Sequence, residues 1–281
     1  MTEFLLMAAP LEDNTDSALR ALFHRHGADL TFTEMTRVNA LARGNKSTWD
    51  RLEAPDGSPY EIQLLPSSEE ELEKFLGEFK PLPCFKGFNF NFGCPSPKVI
   101  KDGMGSAMMK RIAKIQRLID IVRKYNHPIS IKFRLGLNQF EKESKAYLKL
   151  IEGTTPDYFI VHLRHAGQKY SKPADWSLVP EIIEFAKERE KKVVINGDIY
   201  KKEQVDYLKE LGAYGAMIGR AAVYDPSVFN KLKGLEGTPI DNLRQEYIEL
   251  TAKYGNHPRF PKNVLKRMGR DSSSIDSNLL V

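Results

Sequence analysis

The chain carries only two cysteines in 281 residues, Cys84 and Cys94. Two thiols make neither a disulfide framework nor a thiolate metal cluster, and they suit a reducing compartment. The six histidines include no H-E-x-x-H pair, so no metal site is expected. No G-x-G-x-x-G follows the first apolar run, which disfavours an open dinucleotide-binding sheet. No apolar run approaches the roughly 18 residues needed to cross a bilayer. The start, Met1-Thr2-Glu3-Phe4, places no basic segment ahead of its short apolar run, as a secretory signal would. A cytoplasmic protein with no membrane partner is expected, and a monomer.

What is present is an ordinary globular composition, 41% apolar and 28% charged, long enough for one large domain. Lys and Arg number 42 against 37 Asp and Glu, a net charge of +5. The basic residues cluster in two places. Lys98, Lys101, Lys110, Arg111, Lys114 and Arg117 include only Asp102 among them, and Lys262, Lys266, Arg267 and Arg270 lie near the C-terminus. A polyanionic partner accounts for such clusters; a solvated helix face is the plainer alternative.

Short apolar runs alternate with helical patterns along the chain. Strands are expected at Phe4–Pro10, Ala28–Met35, Tyr60–Leu65, Gly87–Phe92, Ile129–Arg134, Asp157–His162, Lys192–Asn196 and Gly215–Arg220. Helices are expected from Asn14 or Thr15 to His26, then from Ser67, Ala107–Lys124, Glu141–Glu152, Leu178–Glu190 and Lys202–Leu211. Thr36–Ser58, polar and carrying Gly44 and Gly57, reads as a long loop with room for a helical turn. Eight strands with nearly continuous apolar interiors, each followed by a helix, make the (β/α)8 pattern of a TIM barrel. After Asp225 the rhythm changes to two helices, Asp241–Tyr254 and Pro261–Met268, and a polar tail from Asp271. The expected architecture is α/β: a barrel over residues 1–225 and a short helical appendage over 226–281.

In a barrel, polar residues at the C-terminal strand ends converge on one mouth. Here those ends carry Gln63, Asn91 and Cys94, Lys132 and Arg134, His162 and Arg164, Asn196-Gly197-Asp198, and Gly219-Arg220. Cys94 sits between Gly93 and Pro95, which shape the loop that presents it; a small buried apolar residue is its bland alternative. Gly197 and Gly219 leave backbone N–H groups uncrowded, as barrels that bind phosphate do after their last two strands. A phosphorylated cofactor such as flavin mononucleotide (FMN) fits that mouth.

These pieces together resemble the tRNA-dihydrouridine synthases over about residues 4 to 225. The resemblance rests on Met7-Ala8-Ala9-Pro10, Thr33-Glu34-Met35, Gln63-Leu64, Asn91-Phe92-Gly93-Cys94-Pro95 and Gly103-Met104-Gly105. It continues through Lys132-Phe133-Arg134-Leu135-Gly136, Val161-His162-Leu163-Arg164, Gln168-Lys169-Tyr170, Ala174-Asp175-Trp176, Asn196-Gly197-Asp198-Ile199 and Met217-Ile218-Gly219-Arg220. The family pattern is departed from at Leu11, at Pro66 and around Arg164.

The resemblance implies a flavin barrel that reduces the 5,6 double bond of uridines in tRNA, with NADPH supplying hydride to the flavin. It implies FMN contacts at Pro10, Gln63, Lys132, His162, Asn196, Gly197, Asp198, Gly219 and Arg220. It implies Cys94 as proton donor, Asn91 holding the base nearby, and a C-terminal helical region for tRNA. A thiol with a pKa of about 8.5 stays protonated at neutral pH and can donate. Another flavin barrel acting on a free pyrimidine, or a non-catalytic tRNA-binding protein, are the competing readings.

Overall fold

The computed structural model describes residues 4–52, 57–254 and 257–271. Among these residues it contains nine strands, all paired in parallel: β1 Leu5–Ala8, β2 Thr31–Phe32, β3 Thr36–Arg37, β4 Tyr60–Leu65, β5 Phe85–Phe92, β6 Ile129–Arg134, β7 Tyr158–His162, β8 Val193–Asn196 and β9 Gly215–Ile218. The pairing order is β1-β9-β8-β7-β6-β5-β4-β2, and the ring closes through a parallel bridge between Met7 and Leu30. There the Ala8 N–H donates to the Leu30 carbonyl at 2.9 Å, and the Asp29 N–H to that of Leu6 at 2.8 Å. The β3 pair adds two residues beside the upper end of β4. The expected eight-stranded barrel is the observed one.

Alternation along each strand divides its side chains between the barrel interior and the surrounding helices. Outward residues such as Phe88, Phe90, Phe92, Ile131, Phe133, Val161 and Ile195 join the large core beneath the helices. A separate cluster of Met7, Leu30, Phe32, Ile160, Val194 and Met217 fills one side of the interior. The other side, facing β4 to β6, is polar: Glu61, Gln63, Asn89 and Ser130 are all buried there.

Several boundaries differ from the sequence reading, for local reasons. The first helix spans Ser17–Arg25, and its N-cap is Asp16 rather than Asn14 or Thr15, with Oδ1 accepting the Leu19 N–H at 2.8 Å. The second strand shrinks to two residues plus the closing bridge. The expected loop 36–58 contains β3, helices Val38–Ala42 and Lys46–Trp49, and a tight turn Asp50–Leu52; residues 53–56 lie outside those described. Trp49 packs on Phe75 of helix Glu69–Glu78, with ring centroids 5.4 Å apart. The helix expected from Ala107 begins at Ile112, because Pro97–Lys101 and Gly105–Met108 form separate turns behind the cysteine loop.

The appendage contains helices Val228–Leu232, Ile240–Tyr254 and Arg259–Arg267. Helix 240–254 lies along helix 17–25. Glu246 pairs with Arg25 at 3.0 Å and His26 at 2.8 Å, and Tyr247 donates to Asp16 Oδ2 at 3.3 Å. Helix 259–267 reaches the loop after β1, where Arg259 pairs with Asp13 at 3.2 Å. The expected polar tail lies almost wholly outside the described residues.

Candidate active site

The mouth has two halves. The first is built on β4, β5 and β6. Asn91 stands near the end of β5, and its Oδ1 accepts the backbone N–H of Gly93 at 3.0 Å and of Cys94 at 2.9 Å. An Asn side chain that captures N–H groups two and three residues ahead fixes a turn. Its amide nitrogen donates to Gln63 Oε1 at 2.9 Å. Cys94 is further held at its carbonyl, which accepts Ser106 Oγ at 2.9 Å. Its side chain packs beside Met35, Leu65, Val99 and Met104. Arg134 reaches across from β6 and donates Nε to the Gly93 carbonyl at 2.9 Å.

The second half is built on β7, β8 and β9. Arg164 is fully buried, donates to the Lys172 carbonyl at 3.0 Å and pairs with Asp198 Oδ2 at 2.5 Å. Arg220, first residue of helix Arg220–Tyr224, pairs with Asp198 Oδ1 at 2.6 Å. The Ala174 N–H donates to the same Oδ2 at 2.9 Å. Asn196 donates to the Met217 carbonyl at 2.8 Å and ties β8 to β9. Gly197 has φ +131°, and a side chain there would press on His162 and Ala174. Pro10 follows Ala9, whose N–H donates to the Ile218 carbonyl at 2.8 Å, so it stands beside Gly219.

Tyr170 joins the halves. Its hydroxyl accepts from Arg134 Nη2 at 3.1 Å, and its ring stacks on His162 with centroids 6.2 Å apart at 28°. The guanidinium carbons of Arg220, Arg164 and Arg134 lie 4.8, 5.4 and 5.7 Å from the ring centroid. The sequence reading quoted Tyr170 within a motif and assigned it no role. An aromatic residue beside several strand-end arginines is the signal that was available.

The electrostatics follow from burial among cations. Burial, aided by the charge of Arg134, pulls Lys132 down to about 7, while Cys94 pulls the other way. Lys132 makes no hydrogen bond or ion pair among the described residues. Burial and then the charges of Arg134, Lys132, Arg164 and Arg220 hold His162 well below its usual range, so it is neutral at pH 7. Arg164 Nη1 lies 3.3 Å from His162 Nε2; an arginine only donates, so Nε2 accepts and Nδ1 carries the proton. Burial, with help from the Glu12 carboxylate, pushes the Cys94 thiol up, outweighing the Ser96 backbone, Arg134 and Arg37. Cys94 is therefore a thiol at neutral pH, fitted to give a proton rather than to attack.

Every strand-end residue named from the sequence lies at this mouth, but several are committed to protein partners. Asp198 spends its carboxylate on Arg164, Arg220 and Ala174. Asn91 spends its oxygen on the cysteine loop. Gln63 keeps one N–H and one lone pair free after bonding Asn91 and Asn89. The first basic cluster is not a uniform strip. Lys110 pairs with Glu141, Arg117 with Glu69, and Lys114 donates to the Ser67 carbonyl, while Lys98 and Lys101 are exposed.

A sequence model described as dihydrouridine synthase (Dus) matches residues 7–266. The chain belongs to the dihydrouridine synthase family. A probable tRNA-dihydrouridine synthase of Helicobacter pylori (strain ATCC 700392 / 26695) is 31% identical over 234 residues, 81% of this chain and 70% of that protein. The probable tRNA-dihydrouridine synthase 2 of Bacillus subtilis (strain 168) is 29% identical over 267 residues, 92% of this chain and 82% of that protein. Among solved structures, histamine dehydrogenase from Rhizobium sp. 4-9 superposes with a TM-score of 0.62 at 10% identity, over 87% of this chain and 48% of that one. A morphinone reductase variant in complex with tetrahydroNAD gives 0.57 at 12% identity, over 86% and 90%. At such identities these two establish the barrel and nothing more.

Proposed function

We propose that the chain is an FMN-dependent tRNA-dihydrouridine synthase that takes its reducing power from NADPH. The reading is carried by one observation: the Cys94 loop is locked at a barrel mouth through Asn91 to Gln63, beside Lys132, which makes no hydrogen bond or ion pair among the described residues. The family relatives bear the name of that activity.

The residues present fit a flavin phosphate ester. The mouth gathers Lys132, Arg134, Arg164 and Arg220, and Asp198 neutralises only two of them. Lys132, with its amine free, would meet the cofactor's polar edge, and Gln63 offers it one donor and one acceptor. Neutral His162 and the backbone of Asn196, Gly197, Gly219 and Arg220 would hold the remainder, with Pro10 beside them. When bound, the flavin supplies hydride to one carbon of the uracil 5,6 bond. Cys94 then breaks its S–H bond and forms the C–H bond at the neighbouring carbon, and water reprotonates the thiolate. Asn91 holds the donor in place through the Gly93 and Cys94 N–H groups, and its second amide N–H would be offered to the base. The base must leave the tRNA stack to reach this depth. Residues 1–225 carry the chemistry, and the helices of 226–281 offer a basic face, with Arg259, Lys262 and Lys266 exposed, to the tRNA backbone.

The test is reduction of tRNA from cells lacking this protein, followed by mapping of dihydrouridine. Purified wild type should be yellow and form dihydrouridine with NADPH. Cys94→Ala should stay yellow and lose at least a hundredfold in turnover, the scale of a lost general acid. Full turnover by Cys94→Ala removes the thiol from the chemistry; a colourless protein that makes no dihydrouridine defeats the whole reading.

A further inference from the structure

Beneath the mouth, on the polar side of the barrel interior, runs a single file of hydrogen bonds. Asn91 Nδ2 donates to Gln63 Oε1 at 2.9 Å, Gln63 Nε2 to Asn89 Oδ1 at 2.8 Å, and Asn89 Nδ2 to Ser130 Oγ at 2.7 Å. Ser130 Oγ donates to Glu61 Oε2 at 2.6 Å, and Tyr158 gives Glu61 Oε1 a second donor at 2.6 Å. Glu61 is 4% exposed and lies two residues below Gln63 on the same face of β4, roughly 7 Å deeper.

The direction of the file is forced at both ends. At the top, the Gly93 and Cys94 N–H groups can only donate, so Asn91 must turn its oxygen to them. That sets its nitrogen against Gln63, and the choice passes down through Asn89 to Ser130. At the bottom, the ionised form of Glu61, which prevails above its raised pKa of about 7, can only accept, so it draws the one Ser130 proton downward. A donor at position 61 would take the second Ser130 lone pair and turn the Ser130 proton away, toward the Phe88 carbonyl at 3.5 Å, so the link to Ser130 would loosen.

A buried charge with no counter-ion is expensive. Among the described residues no cation pairs with Glu61. Burial raises its pKa to about 7, against the hydrogen bonds of Ser130 and Tyr158 and with the Asp157 carboxylate adding to the rise. The titratable groups facing it are Tyr158 and Asp157, and Tyr214 ahead of β9. The file gives this charge a use at the active site.

We infer that Glu61 is a remote positioning residue for Cys94: through Ser130, Asn89 and Gln63 it holds the Asn91 amide in the one orientation that caps the cysteine loop. It touches neither substrate nor cofactor. The inference rests on the proposed reading for its functional meaning, while its structural content can be tested without flavin.

The first experiment alkylates the flavin-free protein with iodoacetamide and follows Cys94 and Cys84 separately by peptide mass spectrometry. Cys84 is exposed and precedes β5, at the opposite end of that strand from Cys94, so it serves as internal reference. Glu61→Gln should raise the Cys94 rate relative to Cys84 by about fivefold, the effect of one ordinary hydrogen bond lost from the loop. Ser130→Ala, which cuts the file without touching Glu61, should do the same. Tyr158→Phe, off the file, should leave the ratio as in wild type. An unchanged ratio in Ser130→Ala or Glu61→Gln overturns the inference, as does an equal change in Tyr158→Phe; if Glu61→Gln does not fold, Ser130→Ala against Tyr158→Phe decides.

The second experiment uses the flavin-loaded protein. In Ser130→Ala and Glu61→Gln, reoxidation by tRNA should slow by about fivefold more than reduction of the flavin by NADPH, since Gln63 within the file also meets the cofactor. Loss of both half-reactions to the same extent marks a merely structural role. Wild type that NADPH cannot reduce refutes the proposed function and leaves the alkylation result standing.

Discussion

Asp198 and Arg220 meet at 2.6 Å, and the second oxygen of the same carboxylate holds Arg164 at 2.5 Å. One acid thus fixes two buried cations. Arg164 is 1% exposed and Arg220 8%, so neither can turn to water if the acid is lost. Asp198 also has φ +52°, a left-handed conformation that Asn tolerates as well as Asp. Asp198→Asn therefore removes the charge without backbone strain. It should destabilise the fold by about 3 kcal/mol, the range for stripping one partner from a buried pair. Burial pushes the Asp198 carboxyl up, but the Arg164 hydrogen bond, the Ala174 N–H and both arginine charges pull it down further, leaving it below the usual range. A lowered folded value means that the pair stabilises above the unfolded value of about 3.9 and that this gain is lost as pH falls through the folded one. Thermal unfolding of wild type and variant at pH 7 and pH 3 checks both points: the gap should narrow at the lower pH, and equal stability at pH 7 refutes the clamp.

Lys132 makes a prediction about protons. Its folded value of about 7 lies below the ordinary 10.5, so between those values the unfolded chain binds a proton that the flavin-free fold does not. Stability of the flavin-free protein should rise with pH across that window. An anionic ligand beside the amine favours the charged form and lifts the value back. Flavin binding near pH 8 should therefore take up close to one proton. Calorimetric titrations in two buffers of different ionisation enthalpy measure this directly. Heats that are independent of buffer would show that Lys132 does not face the bound anion, and Lys132→Met should give that result.

The barrel was legible in the sequence because a parallel strand buried on both faces needs apolar residues: β7 to β9 are near-continuous apolar runs, and β4 to β6 alternate apolar residues with the polar ones that face the interior. The segment between β2 and β4 was not. Its order comes from Val38, Leu41 and Leu52 packing into the large core, a tertiary effect with no local period. At the mouth, strand-end position alone picked out Gln63, Lys132, His162 and Arg220, because polar residues recur there strand after strand. The file below was invisible. Glu61, Asn89 and Ser130 are single polar residues in unrelated strands, and only the register, which sets Gln63 opposite Asn89 and Asn89 opposite Ser130, brings them together. The sequence showed that Asn91 and Cys94 were close. It could not show that the Asn91 oxygen is consumed by the Cys94 backbone, which depends on a turn.

Gly105 tests how tightly the thiol must be held. It lies in Gly103-Met104-Gly105, behind the cysteine loop, with φ +55°. A Cβ there would stand 2.8 Å from Val99 Cγ1, 2.9 Å from the Cys94 carbonyl oxygen and 3.0 Å from Cys94 Cβ. Two of these three contacts are Cys94 itself, so relief of the clash moves the donor. The left-handed backbone adds about 1 kcal/mol of strain for Ala. The flavin contacts on β6 to β9 lie on other elements and feel neither effect. Gly105→Ala should therefore keep its yellow colour and its reduction by NADPH. Turnover on tRNA should fall about a hundredfold, since a misplacement of 1 Å at a reacting group costs that much. Stopped-flow reoxidation of the reduced protein by tRNA reads the step in which Cys94 acts. A variant that bleaches on purification, or one with normal reoxidation, would separate the Gly105 turn from the position of the thiol.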